Sequence, residues 1–476
     1  MTLTAAIHQL RPLSCKERPN CQWPHPWQLG ILFAGLGLLS IGAGGIRPCN
    51  IAFGADQFDT NTKKGRAQLE SFFNWWYFTF TIALIGALTC VVYIQTNVSW
   101  TLGFAIPTIC LAFSTLIFLF GRHTYIYKKP QGSIFSDLAK VVSAAFRKRK
   151  LNASGRTLYD PAPIDLENAP LVQTDRFKFL DKAAIIADPS ELNNQGMPRN
   201  AWRLCSLQQV ERLKCLMGIL PVWVTGICTF IVMDQQNTFG VLQVIQTNRS
   251  IGPHFKVPPG WMNLISMLAL SIWIYIYECI YIPLAKKITK KATRLTMEQR
   301  IKIGVFLSIL CMIVAAIVEK KRRDSAIRHG TFHSPMSFVL LLPQFALSGL
   351  NEVFAAVAIM EFFTLQMPEN MRTVAGAVFF LSLSIANYIG SLIVNVVHRV
   401  TSQKGRTPWI GGHDLNHNRL EYYYYLIAAL GALNFIYFNF FAKKYLRNKK
   451  VQPVDLDMVL EMVGTETKGN MIIVSS

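Results

Sequence analysis

Several ionisable residues interrupt or end the long apolar stretches of this sequence, and three of them are the first to explain. Arg47 follows a glycine-rich segment, Glu361 lies near the end of an apolar run, and Asp234 opens a polar block with the sequence Asp-Gln-Gln-Asn-Thr. A charge within a membrane-length apolar helix is costly, so such residues are paired, hydrated or part of a path for ions, protons or solutes. We therefore take Arg47 and Glu361 as candidates for handling charge inside a membrane.

The polar block that begins at Asp234 lies inside another long apolar stretch. A helix that faces lipid cannot hold such a run, because unsatisfied polar groups in hydrocarbon are costly. The block either lines a cavity or packs against a polar neighbour, and we favour the cavity. The candidate cavity-lining residues are Met233, Asp234, Gln235, Asn237 and Tyr388.

The elements that carry these residues are apolar stretches long enough to cross a bilayer. The chain is 51% hydrophobic and only 16% charged, and a membrane-spanning helix needs about 20 predominantly apolar residues. Buried core helices of a soluble protein are the alternative, but repeated runs of this length favour an all-α integral membrane protein. The nine predicted spans are Trp27–Ile46, Phe72–Ile94, Trp100–Phe120, Cys215–Val244, Trp261–Leu284, Ile301–Val318, Met336–Phe363, Val374–Val397 and Tyr422–Phe441.

The formal charge of +21 has two interpretations. In a soluble protein it would suggest nucleic-acid binding, whereas in a membrane protein basic loops accumulate on the cytoplasmic face. If the segment after the third span is cytosolic, most basic clusters fall inside, including Arg147–Lys150. One loop breaks the rule, because Lys320–Arg323 lies on the predicted outer side. Nucleic-acid binding is not needed to explain the charge.

The spans divide into two unequal groups. We predict a residual N-terminal bundle of three spans in residues 1–120, a cytosolic linker in 121–206, a six-helix C-terminal bundle in 207–445 and a cytosolic tail in 446–476. Apolar residues at helical spacing in the linker predict an amphipathic helix lying against the inner leaflet. These residues are Ile134, Leu138, Val141, Val142 and Ala145. Two bundles joined by a long cytosolic connection are the organisation of a secondary transporter.

A membrane-embedded enzyme is the rival class. Such enzymes gather His, Asp or Glu into metal or nucleophile clusters near the membrane face. The nine histidines lie in loops or at the ends of spans, and the sequence contains no HExxH, GxSxG or phosphate-binding loop. We expect no enzyme activity, no metal and no cofactor.

Several sequence motifs are spread over essentially the whole chain. They are Gly42–Asn50, Phe53–Asp59, Phe72–Tyr77, Phe177–Ala184, Glu361–Phe363 and Met367–Arg372. Together these motifs resemble those of the proton-dependent oligopeptide transporters, and most closely those of their plant branch, the nitrate/peptide transporter family of the major facilitator superfamily. The polar block resembles the subgroup that contains carriers of nitrate and of glucosinolates.

The resemblance implies a twelve-helix, two-bundle fold with a substrate cavity between the bundles and a proton gradient as driving force. The nine spans would then be the fourth to the twelfth, and the N-terminal bundle would be incomplete. The family carries an ExxER or ExxEK motif for proton coupling on its first helix, and nothing in this chain matches it. We therefore expect that this polypeptide lacks the first three helices.

The resemblance also implies that Arg47 and Glu361 form an ion pair between the two bundles. Arg47 stands where lysine is frequent in the family, and Met233 stands where one nitrate carrier has a histidine that holds nitrate. Glu361 is expected to stay ionised while paired and to accept a proton once the pair opens. Two alternatives stay open: Arg47 snorkels to the inner headgroups, or the pair is purely structural.

Two functions are consistent with these features. The first is a proton-coupled symporter of nitrate or a small anionic plant metabolite such as a glucosinolate. The second is a truncated, non-transporting isoform that associates with full-length transporters and alters them; the missing ExxER helix favours it for this exact polypeptide. We expect protons, an anionic or small-molecule substrate, the lipid bilayer and a second copy of the chain as partners. We expect the plasma membrane rather than the vacuolar membrane as its location.

Overall fold

The computed structural model is mostly helical. It describes residues 2–10, 24–55, 57–58, 68, 72, 79, 82–127, 134–151, 157–161, 171, 173–253, 255–289, 295–367, 371–402, 408–412 and 414–446. The predicted tail, 446–476, lies outside the described residues except for Leu446. The side chain of Arg47 also lies outside them.

Ten helices organise the described chain. A short helix, Thr2–Ala6, precedes them. In chain order they are α1 (Pro26–Ala55), α2 (Ile82–Val98), α3 (Trp100–Phe120), α4 (Ile134–Arg147), α5 (Leu207–Ile245), α6 (Met262–Thr289), α7 (Met297–His329), α8 (Leu342–Gln366), α9 (Arg372–Thr401) and α10 (Leu420–Leu446). Six wider π-helical turns occur within five of these helices, and two of the six lie in α2. The turns are Ala87–Val91, Ile94–Val98, Gln236–Gly240, Tyr277–Tyr281, Glu352–Ala356 and Phe438–Ala442.

Local sequence signals set where two of these helices begin and where one of them ends. Ser206 and Gln209 form a capping box at the start of α5, and Thr296 and Gln299 form another at the start of α7. Each box satisfies two backbone donors that the first helical turn leaves free. Gly330, in a left-handed conformation at φ 62°, ends α7, where a residue with a Cβ would be strained.

Eight helices in the described part of the chain are long and apolar enough to cross a membrane. They correspond to eight of the nine predicted spans and confirm the all-α membrane fold. The remaining one, predicted at Phe72–Ile94, is described from Ile82 onward, as the 17-residue apolar helix Ile82–Val98. Of the first ten residues of this predicted span, 72–81, the structure describes two, Phe72 and Thr79.

The prediction that α7 ends at Val318 and leads into a basic loop is wrong. The helix continues to His329, so Lys320–Arg323 is helical. Arg322 is fully buried, whereas Lys320 and Lys321 are exposed. The run therefore consists of one fully buried, one half-buried and two exposed cations on a single helix, and it is not a surface loop.

The C-terminal helices enclose two apolar cores. One is built around the buried rings of Phe230, Tyr423 and Tyr424 and the other around Phe362 and Phe363. Helix α7 packs along α10, and it approaches α8 so closely that a Cβ at Gly304 would lie 2.5 Å from that of Ala355. Close contact of this kind between helices is typical of membrane bundles, in which small residues allow backbones to approach.

The linker helix α4 packs against protein. Its residues Val141, Ala144 and Ala145 are buried with Leu180 of the linker and Val210 of α5. The helix itself was predicted correctly, but most of the apolar stripe predicted to lie on the inner leaflet faces these protein neighbours. Val142 alone among the five predicted residues is exposed.

Buried charges fasten the linker to the start of α5. The Lys214 ammonium lies 2.6 Å from a carboxylate oxygen of Asp181 and 2.7 Å from one of Glu211. Glu211 also accepts hydrogen bonds from the backbone and hydroxyl of Thr174. Asp181 belongs to the segment Phe177–Ala184, so this ion pair gives that motif a structural role.

Two small sheets lie at the opposite end of the bundle from the linker. Strand β1 (Thr247–Asn248) pairs in parallel with β4 (Ser334–Ser337), and β2 (Ser250–Ile251) pairs antiparallel with β3 (Phe255–Lys256). The sheet of β1 and β4 connects the loop after α5 to the loop after α7, whereas β2 and β3 both lie within the loop after α5.

Candidate functional site

Glu361 projects from α8 and forms an ion pair within its own bundle. Its Oε2 atom accepts a hydrogen bond from Nη1 of Arg300, on α7, at 2.6 Å. The side chain of Glu361 is 43% exposed and that of Arg300 is 21% exposed. The carboxylate thus lies at an open face of the bundle, where a proton or a second cation could reach it.

Neighbouring apolar residues fix the backbone on both sides of this pair. Phe362 and Phe363 are buried directly after Glu361, and Ile301 is buried directly after Arg300. All three belong to the same apolar core. The two charged groups are therefore presented from rigid positions while their own side chains stay partly open.

Arg47, the predicted partner of Glu361, has its backbone in α1, and its side chain lies outside the described residues. Helix α1 contacts α9, and α9 in turn packs beside the segment Val357–Gln366 of α8. This arrangement brings the helix of Arg47 to the neighbourhood of Glu361. The pair itself stays a prediction, while the structure gives Glu361 the partner Arg300, which the sequence did not indicate.

The polar block of α5 is held against α9 and α10. The Tyr423 hydroxyl donates to Oε1 of Gln235 at 2.6 Å, and Nε2 of Gln235 donates to Oδ2 of Asp234 at 2.9 Å. A Cβ at Gly390 of α9 would lie 2.8 Å from the Gln235 amide nitrogen and 3.0 Å from the Asp234 carboxylate. For Gln235 the polar neighbour is therefore Tyr423, and the glycine lets α9 approach both side chains.

The other candidate residues occupy different surroundings. Met233 packs against the apolar core beside Phe230, and Asn237 is exposed on the π turn of α5. Tyr388 is 79% exposed on α9. Positions i and i+2 of a helix are rotated by about 200° from each other, so Tyr388 and Gly390 lie on opposite sides of α9. Tyr388 is therefore not brought together with Asp234 and Gln235.

A second polar cluster, which sequence reasoning missed, lies fully buried near the far end of the bundle from the linker. Arg322 donates through Nε and Nη2 to both carboxylate oxygens of Glu319, each at 2.8 Å, and through Nη1 to Asn416 at 2.8 Å. Gln243 donates to the same carboxylate at 2.8 Å and accepts from Gln344 at 2.9 Å.

The missed cluster joins four separate parts of the fold. Its members come from α5, α7, α8 and the loop before α10. The available signal was the spacing of Glu319 and Arg322, because residues three apart share one helix face. Such a two-pronged carboxylate–guanidinium contact can rigidify a bundle and satisfies the polar atoms involved.

The described residues contain no group of three or more His, Cys, Asp or Glu side chains that could hold a metal ion. The chemistry available among the described residues is that of ion pairs, amides and partly open carboxylates such as Glu361 and Asp234. Such groups can bind and release a proton or an anion without forming a covalent bond.

The fold and these charged sites define a polytopic, helical membrane protein with polar groups built into its bundles. A model of the POT family, PTR2, matches residues 2–410. The chain belongs to the POT family of membrane transporters.

Curated relatives from Arabidopsis thaliana support this assignment. Protein NRT1/PTR family 2.8 is 57% identical over 452 residues, which are 94% of this chain and 80% of that protein. Protein NRT1/PTR family 2.13 is 43% identical over 464 residues, which are 96% of this chain and 74% of that protein. The resemblance seen in the sequence motifs is thus confirmed.

Solved structures show the same fold. The POT family transporter PepTSo aligns with a TM-score of 0.63 at 18% identity, covering 90% of this chain and 80% of its own. An autoinhibited POT family peptide transporter aligns with a TM-score of 0.62 at 19% identity, covering 89% and 79%. The chain is a multi-pass membrane transporter with the major facilitator-type arrangement of two helical bundles.

Proposed function

We propose that this transporter is a proton-coupled symporter of nitrate or another small anionic plant metabolite, for example a glucosinolate. The observation that carries the proposal is the partly exposed carboxylate of Glu361, held 2.6 Å from the guanidinium of Arg300 at an open face of the C-terminal bundle. A carboxylate in this position can take up a proton, and the cation beside it can attract an anion. Both halves of a symport reaction are therefore available in one place.

Charge neutralisation couples the two events. While Glu361 is ionised it pairs with the guanidinium of Arg300. An anionic substrate must therefore compete with Glu361 for this guanidinium. Protonation of Glu361 removes that competition and frees the guanidinium for the anion. Release of the proton on the other side of the membrane restores the ion pair and displaces the anion.

Tracer uptake in oocytes tests this proposal. Two proteins are compared, the chain as given and a chimera in which three N-terminal spans of a close relative precede Met1. The chimera should take up labelled nitrate or a labelled glucosinolate faster at acidic than at neutral external pH, and Glu361→Gln should abolish that difference. Uptake of both substrates that is independent of pH, with protein at the surface, would contradict the symporter.

The same experiment decides the alternative, a non-transporting isoform that alters full-length transporters. Under that alternative the chain as given reaches the membrane without uptake, and its co-expression changes uptake by the chimera. An unrelated membrane protein expressed at the same level is the control. Robust proton-dependent uptake by the chain alone would overturn the expectation that it lacks essential helices.

A further inference from the structure

We infer that Arg300 keeps Glu361 paired within the C-terminal bundle whenever the cation of the opposite bundle moves away. The inference rests on the proposed function only in giving Glu361 a role in transport. The contact itself joins α7 and α8, two neighbouring helices of one bundle. A pair inside one bundle survives when the two bundles part, whereas a pair between bundles does not.

The backbones that carry the pair are held in place. The capping box of Thr296 and Gln299 fixes the first turn of α7, and the backbone N–H of Arg300 donates to the Thr296 carbonyl at 2.9 Å. Buried Phe362 and Phe363 fix the adjacent turn of α8. The backbone of Arg300 therefore keeps a fixed position. Glu361 can reach or leave the guanidinium by a change of its side-chain torsions alone.

The contact between Arg300 and Glu361 is also weak enough for Glu361 to change its partner. It is a single contact between Nη1 and Oε2, and both side chains are partly exposed. A partly exposed pair with one hydrogen bond is weak compared with a buried, two-pronged one. Among the described residues this is the one hydrogen bond that the carboxylate receives, so Oε1 is available to a second cation.

The buried pair of Glu319 and Arg322, on the same helix α7, shows the contrast. There two guanidinium nitrogens meet both carboxylate oxygens, and neither side chain is exposed. One helix thus carries a closed pair at one end and an open pair at the other. The open pair suits a carboxylate that changes partner during each cycle.

Arg47 is the cation that the sequence predicts on the opposite bundle. With two cations available, Glu361 passes from one guanidinium to the other when the bundles separate. Loss of Arg300 would leave Arg47 as the remaining partner. We therefore expect that removing Arg300 favours the arrangement in which the bundles are close together.

Spin-label distance measurements in lipid nanodiscs test this inference without a transport assay. One label is placed on the exposed Cys49 of α1 and one on Met360→Cys of α8, with the other cysteines replaced by alanine. Arg300→Gln should shift the distance distribution towards shorter separations, and Arg300→Lys should restore most of the original distribution. Lys302→Gln, an exposed cation two residues further along α7, is the matched control and should change nothing.

An unchanged distribution in Arg300→Gln would overturn the inference, and so would an equal shift in Lys302→Gln. If the cysteine-depleted protein fails to fold, a double-mutant cycle with Arg300→Gln and Glu361→Gln in the native background replaces it. The two losses in Tm should then be less than additive, and additive losses would overturn the contact. The two experiments can also give different answers. If Arg300→Gln shifts the distance distribution but the chimera shows no uptake, the proposed symporter is contradicted and the inference about Arg300 is not.

Discussion

At the scale of single residues, burial decides what each charge contributes. The guanidinium of Arg322 and the carboxylate of Glu319 are both fully buried and bonded twice to each other. Replacing Glu319 with glutamine leaves the buried guanidinium of Arg322 without its counter-charge. Removing one partner of a buried ion pair destabilises a protein by about 3–5 kcal/mol. We expect a loss of this size in the free energy of unfolding, measured by chemical denaturation of the purified protein in detergent.

Lys320→Gln provides the control for that substitution, because Lys320 lies next to Glu319 in the chain but is exposed. It should change stability by less than about 0.5 kcal/mol, as surface substitutions usually do. Replacing both Glu319 and Arg322 by apolar residues of similar volume should cost less than Glu319→Gln alone. Equal effects of Glu319→Gln and Lys320→Gln would show that the buried pair contributes little.

Cys205, at the junction between the linker and α5, gives a prediction that depends on pH. Burial raises the pKa of its thiol to about 11, so at neutral pH roughly 10⁻⁴ of it is the reactive thiolate. Alkylation should be very slow near neutrality and should accelerate as the pH rises towards 11, whereas an exposed Ser190→Cys in the same linker should react readily at neutral pH. Mass spectrometry of the alkylated peptides measures both, and rapid neutral labelling of Cys205 would contradict its burial.

Part of the candidate site was predictable from residue type alone. Glu361 and the polar block at Asp234 stood out because polar groups are rare in long apolar runs, and the structure gives Glu361 and Gln235 specific partners. Arg300 was not predictable, since it lies just before a predicted span and looks like an ordinary surface cation. Arg322 was misread because a run of four basic residues suggested a surface loop, whereas this one side chain of the run is fully buried.

At the scale of elements, a buried cation joins the linker to the start of α5. Lys214 stands between Asp181 of the linker and Glu211 of its own helix α5. Replacing Lys214 with methionine leaves two buried carboxylates near each other without a counter-charge. We expect the linker to detach and trypsin to cut it several times faster in the purified protein.

The matched control for this substitution is Lys178→Gln in the same linker segment. Lys178 pairs with Asp175, but both side chains are largely exposed, and such pairs contribute little. It should leave the rate of cleavage at the other linker sites unchanged. Cleavage of Lys214→Met at the control rate would mean that apolar packing of α4 holds the linker without the ion pair.

The lengths and positions of most helices followed from the apolar pattern, but their internal geometry did not. The span predicted at Trp100–Phe120 matches α3 at both ends. The π turns could not be foreseen, because they arise when a helix widens locally to suit its packing, and the apolar spacing hardly changes. The turn at Gln236–Gly240 lies directly after Gln235, so it helps to set where Asn237 points.

At the scale of the whole molecule, the distribution of basic residues predicts an orientation. The linker and the C-terminal tail should be cytosolic, and the segment before Trp27 should be outside. Reporter tags inserted after Gly155 and after Ser475 should both be protected from external protease in intact cells and become accessible after permeabilisation. A tag placed before Trp27 is the positive control, and cleavage of either cytosolic tag in intact cells would overturn the topology.

The last prediction concerns the pair between the bundles, and the structure changes how it must be tested. Exchanging the charges of Arg47 and Glu361 would place a guanidinium at 361 beside Arg300, which contacts that position at 2.6 Å. Like charges at this distance repel each other, so the double variant should be poorly expressed for a reason unrelated to Arg47. Adding Arg300→Glu removes this repulsion, and the triple variant should regain surface expression in the chimera with three added spans.

Uptake by that triple variant then separates a structural pair from a functional one. If the pair merely joins the two bundles, reversing all three charges preserves every attraction, and uptake should return together with expression. If Glu361 must carry the proton and the arginines must attract the anion, expression should return without uptake, because a carboxylate replaces each cation that meets the substrate. Tracer uptake corrected for surface protein measures the difference, with Lys302→Glu as the control for an added acidic residue on α7. Full recovery of uptake in the triple variant would remove the mechanistic role proposed for Glu361 and leave the two arginines as structural counter-charges.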